Sequence, residues 1–184
     1  MPSTSISTDE VVLLDEFDQP IGTALRSSVH GFDTPRHLAF SCYLFDDRGR
    51  VLLTRRGLTK VAWPGVWTNA CCGHPAPGES AEDAVRRRLA DELGTVVTGL
   101  ELALPDFGYR AVDASGVVEN EFCPVWVARL AGPLQPDPGE VAELTWVAWP
   151  DLVAMVDTAP ALLSPWCVAQ VPLLDSVVVK VGAA

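Results

Sequence analysis

The stretch WTNACCGHPAPGES, residues 67–80, places Cys71, Cys72 and His74 within four positions. In a chain of five cysteines and three histidines, that crowding asks which thiol, if either, does chemistry. Further on, VENEFC carries Glu119 and Glu121 two apart on an apparent strand, so both point to one face. Two carboxylates on one face repel unless a cation or a proton sits between them. The pair is either solvated or, given Val117, Val118, Phe122 and Val125 around it, turned into a cleft. The histidines, His30, His37 and His74, all lie in or beside Gly/Pro-rich connections, where sites tend to sit. Three imidazoles with two carboxylates would make an N/O-rich site suited to Mn²⁺, Zn²⁺ or Fe²⁺. Spacing alone does not bring them together.

The elements that must position these groups can be read in outline. VVLLDEFDQPIGTALR reads as strand, turn, strand, with the turn at Asp18-Gln19-Pro20. A loop holding His30 follows and ends near His37. LAFSCYLF, DDRGR and VLLTRR form the clearest hairpin. Residues 57–79, rich in Gly, Pro and Trp, lack a sustained period and read as a long structured loop. Ser80 is placed to cap a helix with Glu82 and Asp83 in its first turn, an apolar stripe at Val85, Leu89 and Leu93, and an end at Gly94. GVVENEFCPVWVARL, residues 116–130, reads as one strand. After a Pro-rich turn comes the strand LTWVAW, and Pro150 opens a short helix. The tail from residue 162 fits helix or strand equally. The sum is an α+β domain with a strand-rich core. Residues 1–10 read as a mobile tail and 11–184 as the single domain.

Composition bounds the function. The 184 residues are 48 % hydrophobic, enough for one sizeable core. A net charge of −11 argues against nucleic acid or an anionic membrane as partner, though not against a small anion held by a local cationic cluster. No membrane span and no signal peptide are visible, so the expected compartment is the cytoplasm, with the cysteines as free thiols.

Gly73, Glu79 and the run Arg87-Arg88-Leu89-Ala90-Asp91-Glu92-Leu93-Gly94 resemble the Nudix box, a loop–helix–loop that holds a divalent cation against a diphosphate. Arg88 departs from it, standing where a Nudix hydrolase usually has a glutamate. Without the resemblance, the segment reads as an amphipathic helix with solvated Arg86, Arg87 and Arg88.

RHLAFSCYLFDDRGRVLLTRR, AWPGVWTNACCGHPAPGES, YRAVDASGVVENEFCPVW and SPW are similar to a narrower group, the type I isopentenyl-diphosphate isomerases. The resemblance runs from about residue 10 to about residue 170 and leaves the role of the last residues open. It implies a Nudix-type α/β/α sandwich with a mixed β-sheet core. The implied activity is conversion of isopentenyl diphosphate to dimethylallyl diphosphate through a tertiary carbocation. The catalytic cysteine of the motif directly precedes Gly-His, which is Cys72; Cys71 takes a variable apolar place. The resemblance assigns proton transfer to Cys72 and Glu121 with Tyr109 behind, and a π face near the cation to Trp166. It places Mn²⁺ or Zn²⁺ on His30, His37, His74, Glu119 and Glu121. Mg²⁺ would arrive with the diphosphate, on Glu92 and the Cys72 carbonyl. Arg56 and Lys60 match diphosphate-binding positions, and Arg26 stands where many members have lysine. A small-molecule substrate and a monomer or weak dimer complete the expectation. The alternative is a Nudix pyrophosphohydrolase of nucleoside diphosphate derivatives, which needs neither Cys72 nor the histidine set.

Overall fold

The computed structural model describes residues 9–181. Its centre is a sheet whose strands alternate between two apolar layers. Strand β4 (Phe40–Phe45) is buried along its whole length. Phe40, Cys42 and Leu44 face one layer, Tyr43 and Phe45 the other. The same alternation splits β5 (Arg50–Arg56), with Leu52 on one side and Val51 and Leu53 on the other, as a strand buried on both faces requires. Helix α2 (Ala81–Leu93) covers the first layer with Ala84, Val85, Leu89 and Leu93. Helices α3 (Trp149–Thr158) and α4 (Pro165–Val181) cover the second, through Trp149, Leu152, Val156, Trp166, Cys167, Val171 and Leu174. The result is an α+β sandwich with helices on both faces of a mixed sheet.

In that sheet the strands run β12 (Val141–Ala148), β5, β4, β11 (Val125–Leu130), β8 (Val97–Leu104), with short β6 (Trp67–Thr68) on β5 and β7 (Cys71–Gly73) on β4. A second sheet runs β2 (Pro20–Leu25), β1 (Glu10–Leu14), β3 (His37–Leu38), β10 (Val118–Phe122), β9 (Gly108–Val112). The strand expected over 116–130 is therefore two strands in different sheets. The break is Cys123-Pro124, where proline has no N–H for a ladder. Ala39 makes the matching step between β3 and β4. The two crossings lie side by side, with Ala39 N–H donating to the Phe122 carbonyl at 2.8 Å and Ser41 N–H to that of Pro124 at 3.1 Å.

Other elements follow the sequence reading. The β4–β5 hairpin turns on Asp46, whose Oδ1 accepts from the N–H groups of Arg48 and Arg50. Ser80 caps α2 by accepting from Asp83 N–H at 3.1 Å, and Gly94 ends it with φ 59°. The long loop over 57–79 contains β6 and β7. The loop before His37 opens with one helical turn, α1 (Arg26–Val29). The ambiguous tail is helix α4. The expected mobile tail lies outside the described residues except for Asp9 and Glu10, and Glu10 opens β1.

Candidate active site

Strand register assembles half of the site. Glu121, in β10, is paired with His37 of β3 on one side and Tyr109 of β9 on the other. Directly paired residues project to the same face, so imidazole, carboxylate and phenol stand in a row. Glu119, two residues back, shares that face. A bridge between Gly31 and Val118 brings His30 beside it. His74 enters from the other sheet, just past β7, after a glycine that close packing demands. A Cβ at Gly73 would lie 2.9 Å from Arg88 Cγ and 3.0 Å from Phe40 Cζ.

The ligand atoms of His30, His37, His74 and Glu121 all lie within 4.8 Å of one another. His74 Nε2 is 3.2 Å from His37 Nε2 and 3.2 Å from Glu121 Oε1, which is 3.5 Å from His37 Nε2. Such separations suit donor atoms sharing one cation at bonds of about 2.0–2.2 Å. Glu119 Oε2 lies 3.0 Å from His30 Nε2, yet both atoms are buried without a hydrogen-bond partner. His37 Nδ1–H donates to the Pro35 carbonyl at 2.9 Å, which leaves its Nε2 lone pair aimed at the cluster. The residues present fit a divalent metal ion.

The electrostatics of the cluster are mixed: burial would lower His37, but the contact with Glu121 and its charge outweigh this and raise it. Burial would raise the Glu121 carboxyl, but its close contacts with the His37 and His74 imidazoles outweigh it and hold the group well below the usual range. Burial and the charge of Glu121 push Glu119 up. Burial takes His74 down to about 4, against the pull of Glu121, so its lone pair is free at neutral pH.

The two cysteines separate by strand alternation. Cys71, 2 % exposed, packs in the layer under α2. Cys72 turns to the opposite face among Trp63, Trp67, Tyr109 and Trp166. Its Sγ is 3.3 Å from Asn69 Oδ1 and 3.4 Å from Ser41 Oγ. Burial pushes its thiol up to about 11, with the bonds to Ser41 and Asn69 opposing, so it is protonated at neutral pH. Burial, with the charges of Glu121 and Glu119, keeps the Tyr109 phenol protonated as well. The Tyr109 and Trp166 rings lie 5.6 Å apart.

These groups open on one cavity of about 250 Å³. Arg26, Arg56 and Lys60 line it, as do Glu92, Glu119, Glu121, His30, His74 and Trp166. The Arg56 guanidinium is fixed by donating to the Ala62 carbonyl at 2.9 and 3.2 Å and stacks over Trp166 at 5.4 Å. Burial lowers the Lys60 ammonium; Glu92 opposes this, and Arg56, Arg88 and Arg26 add to it, so these cations share one region.

Four residues of the site escape a reading from sequence. Arg88 counts there as a missing carboxylate or as a solvated helix residue, whereas the structure buries it. It lines the cavity, bonded to Glu92, with its Nε buried and unpartnered. The available signal was its place four residues before Glu92, on the same helix face. Glu140 bonds Lys60 and lies 3.7 Å from Arg88. Ser41 and Asn69 sit behind Cys72. Asn69 had a signal in the WTN string; Ser41 and Glu140 had none. The remaining box residues are structural. Glu79 and Arg87 form a paired salt bridge at 2.7 and 2.8 Å, and Arg87 also donates to the His74 carbonyl.

A NUDIX domain family profile matches residues 35–167. The isopentenyl-diphosphate Delta-isomerase of Mycolicibacterium vanbaalenii is 56 % identical over 176 residues, covering 96 % of each chain. That of Frankia alni is 58 % identical over 170 residues, 92 % of this chain and 88 % of its own. The chain belongs to the isopentenyl-diphosphate Delta-isomerase family. The wider NUDIX fold appears in solved structures of lower identity. DR0079 of Deinococcus radiodurans superposes with a TM-score of 0.63 at 19 % identity, over 82 % of this chain and 90 % of that one. A MutT NUDIX hydrolase from Burkholderia pseudomallei gives 0.58 at 23 %, over 76 % and 98 %. These share the fold of the isomerase family.

Proposed function

We infer that the protein interconverts isopentenyl diphosphate and dimethylallyl diphosphate. The observation that carries this reading is the Cys72 thiol lining one cavity with Glu121, Tyr109 and Trp166, beside the cations Arg26, Arg56 and Lys60. Moving the double bond requires one proton added at the terminal alkene carbon and another removed from the carbon nearer the diphosphate. The intermediate is a tertiary cation, and no atom leaves but the second proton. Cys72 and Glu121 are the two proton carriers, and Tyr109 beside Glu121 supports it. The Trp166 face lies against the reacting carbons, where a desolvated cation–π contact is worth about 2 kcal/mol. The surrounding tryptophans keep out water that would trap the cation as an alcohol.

Arg56, Lys60 and Arg88 hold the diphosphate, with Arg26 at the same region. His30, His37, His74, Glu119 and Glu121 would hold Mn²⁺ or Zn²⁺, and Glu92 with the Cys72 carbonyl would hold Mg²⁺ that arrives with the substrate. When bound, the first ion would supply a positive charge that sets the acidity of Glu121, and the second would neutralise the diphosphate. Among the described residues no helix is long and apolar enough to cross a membrane. All five cysteines are free thiols, which suits a reducing cytoplasm.

Proton NMR of isopentenyl diphosphate with the protein and Mg²⁺ in D₂O tests the reading. Deuterated dimethylallyl diphosphate is the expected product. Release of inorganic phosphate or isopentenyl monophosphate instead would make the protein a hydrolase and overturn it.

A further inference from the structure

Asn69 is fully buried between β6 and β7, and every polar atom of its side chain is engaged. Its Nδ2 donates to the carbonyls of Cys42 at 3.0 Å and Cys71 at 2.8 Å. Its Oδ1 accepts from Trp166 Nε1–H at 3.1 Å, from the Cys72 thiol at 3.3 Å and from Thr68 Oγ1 at 2.8 Å. The orientation of the amide is fixed from both ends. An indole N–H can only donate and two carbonyls can only accept, so oxygen and nitrogen cannot exchange places. Thr68 has an alternative partner in Ser164 Oγ at 2.8 Å. The Cys72 thiol also lies 3.4 Å from Ser41 Oγ, but that oxygen is shared with Cys123 Sγ and accepts from Gln170 Nε2–H, so Asn69 Oδ1 is the acceptor that Cys72 and Trp166 have in common.

Resting on the proposed isomerisation, we propose that Asn69 is its positioning residue: one buried carboxamide oxygen fixes the Cys72 thiol and the Trp166 indole relative to each other. The two groups come from distant parts of the chain, on β7 and at the start of α4. Ser164 N–H donates to the Trp67 carbonyl at 2.8 Å and brings those segments together, but that bond sets backbone and not side chains. Both side chains address the same few substrate carbons. A displacement of about 1 Å between groups so placed costs on the order of a hundredfold in rate. Asn69 borders the cavity but is fully buried, and its amide bonds none of the cationic side chains or the histidine cluster.

The test compares Asn69→Ala with Asn69→Asp. Alanine removes the oxygen. Aspartate keeps an oxygen for Cys72 and Trp166 but sets its second oxygen against two carbonyls, where it takes up a proton to donate to one of them. Both variants lose amide bonds and both lose stability. Activity that merely followed stability would fall together in the two. The positioning role expects kcat to fall about ten- to hundredfold in Asn69→Ala, with KM within about threefold. Asn69→Asp should keep at least about a tenth of the wild-type kcat by the same reasoning. A second readout needs no turnover. The Trp166 indole N–H resonance, identified by its loss in Trp166→Phe, should shift upfield in Asn69→Ala and hold its position in Asn69→Asp. An unmoved resonance in the alanine variant, a shifted one in the aspartate variant, or unchanged kcat in Asn69→Ala would overturn the inference. If alanine prevents folding, the aspartate variant alone decides through its resonance. Wild-type protein that makes no dimethylallyl diphosphate would instead overturn the proposed function and leave the indole result standing.

Discussion

His30 Nε2 and Glu119 Oε2 face each other at 3.0 Å inside the protein, in a geometry that is poorly aligned for a hydrogen bond. A buried nitrogen and a buried carboxylate oxygen so placed each keep a lone pair for a third party. Purified protein should carry about one equivalent of a transition-type metal, and replacing His30, His37 and His74 together by alanine should remove it. Chelation should lower the melting temperature of the wild type and leave that of the triple variant unchanged. Metal content that survives the triple substitution would sink the site.

Opposite orientation of neighbouring thiols gives a sharp contrast. Cys72→Ala should abolish isomerisation. Cys71→Ala should keep most of the rate and lose about 1 kcal/mol of stability, the cost of a small void under α2. Chemical denaturation with a turnover assay separates the two effects. Equal loss of activity in two folded variants would mean the facing is wrong.

Trp166→Phe should retain more activity than Trp166→Leu. Phenyl keeps a weaker π face, leucine keeps none, and both lose the indole bond to Asn69 Oδ1. The gap should be a few-fold to about tenfold in kcat, because the charge exists only along the reaction path. Equal kcat values at comparable stability would reduce Trp166 to a wall.

The Glu79–Arg87 bridge predicts a pH dependence of stability. The hydrogen bond from Arg87 lowers the Glu79 carboxyl, burial opposes it, and the Ala76 N–H adds to the lowering. A folded-state value below the unfolded one gives stability that is complete above about pH 4.3 and lost as pH falls through the folded value. Glu79→Gln should cost about 1–3 kcal/mol near pH 7, and the two urea curves should converge once the pH lies below the folded-state value of Glu79. A difference that persists at low pH would assign the effect to packing.

How much of this was legible in sequence differs by residue. The shared face of Glu119 and Glu121 was, because Glu-x-Glu spacing on a strand fixes it, but the convergence of His30, His37 and His74 on Glu121 was not, because spacing alone does not bring separate loops together. Helix α2 was, because its cap, stripe and terminal glycine agree. Strand β8 was not: the exposed face of Val97–Leu104 breaks the apolar pattern that would mark it. The change of sheet at Pro124 was hidden inside an apolar run that reads as continuous from either side. Arg88 and Asn69 were hidden for another reason. An arginine in a helix and an asparagine near a turn have ordinary local explanations, and only long-range contacts give them others.

The paired crossings at Ala39 and Cys123-Pro124 have a consequence for how the protein acquires its activity. His37, Glu119, Glu121 and Tyr109 belong to one sheet, whereas Cys72 stands on the other with His74 just beyond its strand. Neither sheet carries a working set alone. During refolding, secondary structure can return strand by strand, but turnover has to wait until the two sheets have docked along this seam. Regain of activity therefore times the docking event. A circular dichroism trace recorded alongside should run ahead of it.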